Sequence, residues 1–75
     1  MKLSEIPVGK KVRVLQVYGD GPLRRRLLDM GVTPKTEIEV TKLAPMGDPI
    51  ELFLRGYSLT IRKDEADQID VEEIF

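Results

Sequence analysis

The chain changes its hydrophobic period between Met30 and Thr36, and that change limits what it can fold into. Leu23, Leu27 and Met30 recur at spacings of four and three, which places them on one helical face. Pro22 is pre-set for the first helical turn, and Gly31 suits a left-handed C-cap. Pro34 then bars the helix from resuming. From Thr36 the pattern alternates: Thr36, Ile38 and Val40 take one side, and Glu37, Glu39 and Thr41 the other, as on a half-buried strand. A helix of one or two turns is thus joined directly to a strand, and Arg24, Arg25 and Arg26 are carried round its outside.

The other segments are short and mostly of strand period. Leu3-Ser4-Glu5-Ile6 reads as one turn capped by Ser4, with Leu3 and Ile6 turned inward. In the run from Lys11 to Tyr18, Val12 and Val14 share a face while Leu15 and Val17 fall on the other. That phase change predicts a bulge or a sharp bend. Ile50, Leu52 and Leu54 alternate, as do Leu59 and Ile61. A two-residue type II′ turn on Gly56-Tyr57 would set Leu54 opposite Leu59 and Leu52 opposite Ile61. Asp64 is placed to cap a further short turn, and Ile69 and Val71 alternate in a final strand. About five short strands with scraps of helix predict an all-β fold, a small SH3-like barrel, with residues 1–75 as one domain.

Composition removes several function classes. With no histidine and no cysteine, the chain has no triad base, no thiolate nucleophile and neither imidazole nor thiolate metal ligands. No enzyme activity, no cofactor and no tight metal site are expected. A net charge of −1, with two Tyr, two Phe and no Trp, argues against a nucleic-acid partner. No apolar run reaches the ~18 residues of a membrane span, and no signal-peptide core follows Met1. These features predict a cytoplasmic protein that does not insert into the membrane; its oligomeric state is not legible.

The candidate partner-binding residues follow from register. A Pro45–Pro49 loop would set Ala44 opposite Ile50, Lys42 opposite Leu52 and Val40 opposite Leu54. Phe53 then points outward between Thr41 and Thr60, with Leu43 diagonal to it and Met46, Arg55 and Tyr57 at its border. An outward aromatic and a leucine beside an arginine have the composition of a contact surface. The alternative is that the helix or the N-terminal turn covers Phe53 as a second small core. Arg24 and Arg25 are further candidates for an acidic partner, weighed against a solvated helix face whose stems shield the leucines.

The pieces LRRRLLDMG, IEV, APMGDPIEL and LRGYSLTIRKDEADQIDV, in this order, resemble the FeoA family from about Leu3 to Glu72. The family pattern falls on Arg26, Leu27, Met30, Gly31, Pro34, Pro45, Gly47, Asp48, Pro49, Arg55, Gly56, Leu59, Arg62, Ala66 and Ile69. Lys35 stands where the family usually has the glycine of a type II turn, which predicts a type I turn or some strain. The resemblance implies a small SH3-like accessory protein of bacterial ferrous iron uptake. Its partner would be the FeoB-type membrane GTPase permease on its cytoplasmic side. The same fold also implies an alternative, a stand-alone relative of the C-terminal domain of iron-dependent repressors.

Overall fold

Alternation over four to six residues is enough to make a strand but not to bury it, so every apolar face must meet a neighbour. A computed structural model describes residues Met1–Ile74. It has strands β1 (Lys11–Val17), β2 (Glu37–Leu43), β3 (Ile50–Leu54), β4 (Tyr57–Ile61) and β5 (Ile69–Glu73). They form one antiparallel sheet in the order β4-β3-β2-β1-β5. Helix α1 (Gly21–Asp29) joins β1 to β2, the short α2 (Lys63–Ala66) joins β4 to β5, and a 3₁₀ turn at Leu3–Glu5 precedes β1. This is the SH3-like arrangement, all-β with short helices. Among the described residues no helix is long and apolar enough to cross a membrane.

The phase change in β1 is a bulge. Pairing with β5 slips between Val14 and Gln16, which lets Val17 rejoin Val12 and Val14 in the core and turns Leu15 out, 45% exposed. A second bulge, in β2 between Val40 and Lys42, overturns the expected β2–β3 register. Leu43 rather than Ala44 lies opposite Ile50, Lys42 faces Glu51, Val40 faces Leu52 and Glu39 faces Phe53. The Thr41 hydroxyl donates to the Glu51 carbonyl at 3.1 Å, holding the extra residue in place.

The β3–β4 hairpin also differs from expectation. Its turn is Arg55-Gly56, not Gly56-Tyr57, so Leu54 pairs with Tyr57, Leu52 with Leu59 and Ile50 with Ile61. Both turn residues have positive φ, 48° and 85°, the type I′ form whose twist matches the flanking strands. A two-residue slip preserves the side-chain faces. Ile50, Leu52, Leu54 and Ile61 are therefore all buried, as the alternation required.

Helix α1 starts two residues earlier than the leucine spacing indicated, with Pro22 in its first turn. Leu27 is fully buried, while Leu23 and Met30 pack half-buried against the core. Its end is a Schellman motif: Gly31 (φ 96°) donates to the Leu28 carbonyl and Val32 to the Leu27 carbonyl, each at 3.0 Å. The next turn closes from the Thr36 N–H to the Thr33 carbonyl at 3.1 Å, with Lys35 at φ 77°. The type II shape is kept without its glycine, so Lys35 carries strain of about 1–2 kcal/mol.

Two expected caps are otherwise made. Ser4 does not cap; Lys2 N–H donates to the Glu5 carboxylate at 2.9 Å, and the Ser4 hydroxyl bonds Asp67. Asp64 lies inside α2, whose cap is Glu65 reaching back to the Arg62 N–H at 2.8 Å. In both places a glutamate at the third helical position is long enough to return to the chain, as Ser4 and Asp64 are not.

The core placement of α1 is testable in urea. Leu27→Ala should cost about 2–5 kcal/mol, a large part of what a domain this small has. Arg25→Ala, on the exposed side of the same helix, should change stability by at most about 0.5 kcal/mol. Equal losses would mean that the helix face is wrongly placed.

Candidate functional site

Three successive arginines fan round most of a helical turn, so their partners must differ. Arg24 Nε donates to the Val17 carbonyl at 3.1 Å, tying α1 to the end of β1. Arg26 Nη1 meets Glu65 Oε2 at 2.5 Å, where the Glu65 side chain is only 7% exposed and Arg26 is 58% exposed. Arg25 is exposed and has no hydrogen-bond partner among the described residues. Two of the three are structural ties.

The hairpin tip is tied as well. Arg55 Nε donates to the Gly31 carbonyl at 3.2 Å, and Nη2 reaches Thr33 Oγ1 at 2.9 Å and Thr36 Oγ1 at 3.0 Å. The Tyr57 hydroxyl donates to the Met30 carbonyl. Tyr57 thus satisfies the carbonyl of the α1 C-cap residue, and Arg55 adds to the turn beyond it, where the Gly31 carbonyl also accepts the Thr33 N–H at 3.0 Å. Arg55 and Tyr57 border the solvent; Arg55 Nε and Nη2 and the Tyr57 hydroxyl already have partners, while the Arg55 charge is not paired with a carboxylate among the described residues.

The bulge in β2 separates the remaining candidates. Leu43 lies opposite the inward-facing Ile50, so it belongs to the rim of the inner face, at 37% exposure, and does not flank Phe53. Met46, 91% exposed, projects from the loop beyond it. Phe53 points to the outer face at 44% exposure, between Glu39 on β2 and Ser58 on β4 instead of Thr41 and Thr60. At that exposure Phe53 is not enclosed as a second core among the described residues.

Phe53 borders a shallow cleft of about 200 Å³ whose other walls include Lys11, Glu37, Glu39 and Arg55. A second cleft of about 190 Å³ opens between Lys42, Pro49, Glu51 and Thr60. The charges here are matched across strands: Lys11 faces Glu39, Arg13 faces Glu37 and Lys42 faces Glu51. The face around Phe53 is therefore nearly neutral, and apolar contact rather than charge would dominate binding on it. Lys11, Glu37 and Glu39 were not singled out from the sequence, although their outward alternation beside Phe53 was the available signal. Among the described residues no three carboxylates converge as metal ligands.

Residues 1–73 match the model of the FeoA domain. The chain is 35% identical over 74 residues to an Fe(2+) transport protein A/Fe(2+) transporter FeoB fusion protein of Porphyromonas gingivalis. That match covers 99% of this chain but 9% of the fusion protein's length. A FeoA-like protein of Clostridium acetobutylicum, solved by NMR, superposes with a TM-score of 0.92 at 45% identity, over 100% of this chain and 87% of that one. The zinc complex of Stenotrophomonas maltophilia FeoA, described as a prokaryotic SH3 domain protein, gives 0.84 at 25% identity, over 96% of this chain and 89% of that one. A manganese-dependent transcriptional repressor matches at 16% identity with a TM-score of 0.91, over 99% of this chain and 36% of that one, a likeness of fold alone.

The Arg26–Glu65 pair is asymmetric in burial, and its two halves should not be equivalent. Arg26→Ala leaves a buried carboxylate without its cation and should cost about 1–3 kcal/mol. Glu65→Gln leaves only an exposed guanidinium and retains an oxygen for the Arg62 N–H, so it should cost less than half as much. Thermal melts of the two variants check this, and the reverse order would contradict it.

Proposed function

Because this chain belongs to the FeoA family of ferrous iron transport, we propose that it works as a cytoplasmic accessory protein of bacterial ferrous iron uptake, by contact with the FeoB-type GTPase permease. The observation that carries this reading is the P. gingivalis fusion, in which a relative of this domain and a FeoB transporter share one polypeptide. Covalent fusion keeps two modules at high effective concentration, and it supports association between their separate counterparts. The residues fit a role by contact: with no histidine or cysteine, the chain has no obvious catalytic nucleophile or base.

The proposed docking residue is Phe53, the aromatic that the sheet leaves on its neutral outer face, with Arg25, Leu43 and Met46 as outlying contacts. Arg24, Arg55 and Tyr57 would act mainly by holding α1 and the hairpin in place. Such a contact alters the transporter only in so far as it binds one of the permease's conformations better than another. The domain would thus be a regulator rather than a carrier of iron.

Phe53→Ser tests the assignment. Stability in urea should stay within about 0.5 kcal/mol of the parent, as for an exposed site. Co-purification with the permease from the same genome should be lost. A loss of several kcal/mol would show that Phe53 is a packing residue, and unimpaired co-purification would move the contact elsewhere. Recovery of a DNA-binding repressor instead of the permease would favour the repressor-domain alternative.

A further inference from the structure

An antiparallel sheet that does not close has two edges, each with a row of free backbone donors and acceptors, and here the two are treated differently. The β5 edge is covered. Val71 N–H donates to the Met1 carbonyl at 2.7 Å, the Met1 amino group donates to the Val71 carbonyl at 3.1 Å, and Lys2 bridges to Asp70. Among the described residues the β4 edge has no such backbone cover. In a two-residue hairpin the flanking pair Leu54–Tyr57 exchanges ladder bonds, and so do Leu52–Leu59 and Ile50–Ile61. The N–H and C=O groups of Ser58 and Thr60 therefore point away from β3. Among the described residues no backbone group bonds to them.

The usual protections of an edge are missing from β4 itself. Its register runs unbroken through five pairs, with no bulge, and Tyr57–Ile61 contains no proline and no charge. Ser58 and Thr60 have small, exposed side chains that leave the backbone accessible. The charge lies at the two ends. Arg55 precedes the strand, Arg62 and Lys63 follow it, and no acidic residue lies between Arg55 and Lys63. Asp48 approaches the far end, but it accepts the Lys63 backbone N–H at 3.1 Å and does not pair with the ammonium.

We propose that the β4 edge takes up an extended segment of a partner polypeptide as a sixth strand, and that this segment is uncharged at its centre and acidic at its ends. Backbone groups of Ser58 and Thr60 would supply the ladder bonds, and Arg55, Arg62 and Lys63 the selection for flanking carboxylates. The same charges argue against a second copy of this chain. Antiparallel self-pairing about Leu59 would set Arg55 opposite Lys63, and parallel pairing would align each cation with its own copy. The inference rests on the edge and does not require the partner to be the permease.

The probe is a synthetic peptide with an alternating Val/Thr core and two carboxylates at each end, compared with a lysine-ended peptide of the same core. With the acidic peptide, the Ser58 and Thr60 amide signals should shift and gain at least tenfold protection from hydrogen exchange. Binding should weaken as salt is raised. Ser58→Pro removes an outward N–H without breaking the β3–β4 ladder, and it should reduce affinity at least tenfold. Arg62→Glu with Lys63→Glu, which leaves the strand backbone intact, should also reduce it and serves if the proline variant does not fold. Equal binding of the two peptides, changes confined to Phe53, or concentration-dependent self-pairing at Ser58 would each overturn the proposal. Loss of permease co-purification in Phe53→Ser with peptide uptake intact would separate this site from the contact proposed above.

Discussion

The end of helix α1 sets the condition that the rest of the molecule meets. A helix of nine residues leaves its last carbonyls without internal partners, and this one ends next to the sheet instead of in open water. Gly31 answers part of the problem by turning left-handed, so that its own N–H and that of Val32 fold back on Leu28 and Leu27. The hairpin adds two ties: the Tyr57 hydroxyl takes the Met30 carbonyl, and the Arg55 guanidinium joins the Thr33 N–H on the Gly31 carbonyl just beyond the helix. Arg24 and Arg26 hold the same helix to β1 and α2. Leu27 can then close the core, because α1 is tied at its C-terminal end and to both β1 and α2.

A domain of 75 residues has little interior to work with, and its two bulges increase what each strand can bury. In β1 the extra residue returns Val17 to the core and leaves Leu15 outside. In β2 it puts Leu43 on the side of Ile50 and leaves Phe53, like Leu15, pointing outward. The charged residues around Phe53 are paired across strands and largely cancel. Features left accessible to a partner include the Phe53 aromatic on a neutral face, the Arg25 side chain on α1 and the β4 strand edge.

The faces of the strands were legible in the sequence, and their registers were not. Both register errors were slips of whole pairs or of a bulge, and alternation at Leu52 and Leu54 reads the same after a slip of two. A bulge at Thr41 leaves no pattern of its own, since Val40-Thr41-Lys42-Leu43 alternates acceptably in either phase. The type I′ turn was missed because Arg55 is an unusual residue for positive φ, and its tolerance comes from tertiary bonds to Gly31, Thr33 and Thr36. For the same reason Arg55 and Tyr57 looked like surface contacts. The bonds that engage them span 19 to 27 residues of sequence. The period change, the glycine cap and the burial of Leu27 rest on local chemistry, and those were readable.

The most direct test of this account is the stability of Arg55→Ala combined with amide exchange. If Arg55 is what secures the end of α1, the variant should lose about 1–3 kcal/mol in a urea melt. Exchange from Gly31 to Thr36 should quicken most, while the β1–β5 ladder keeps its protection relative to the global stability. A melt within about 0.5 kcal/mol of the parent, with unchanged exchange through that turn, would contradict the account and return Arg55 to the partner surface.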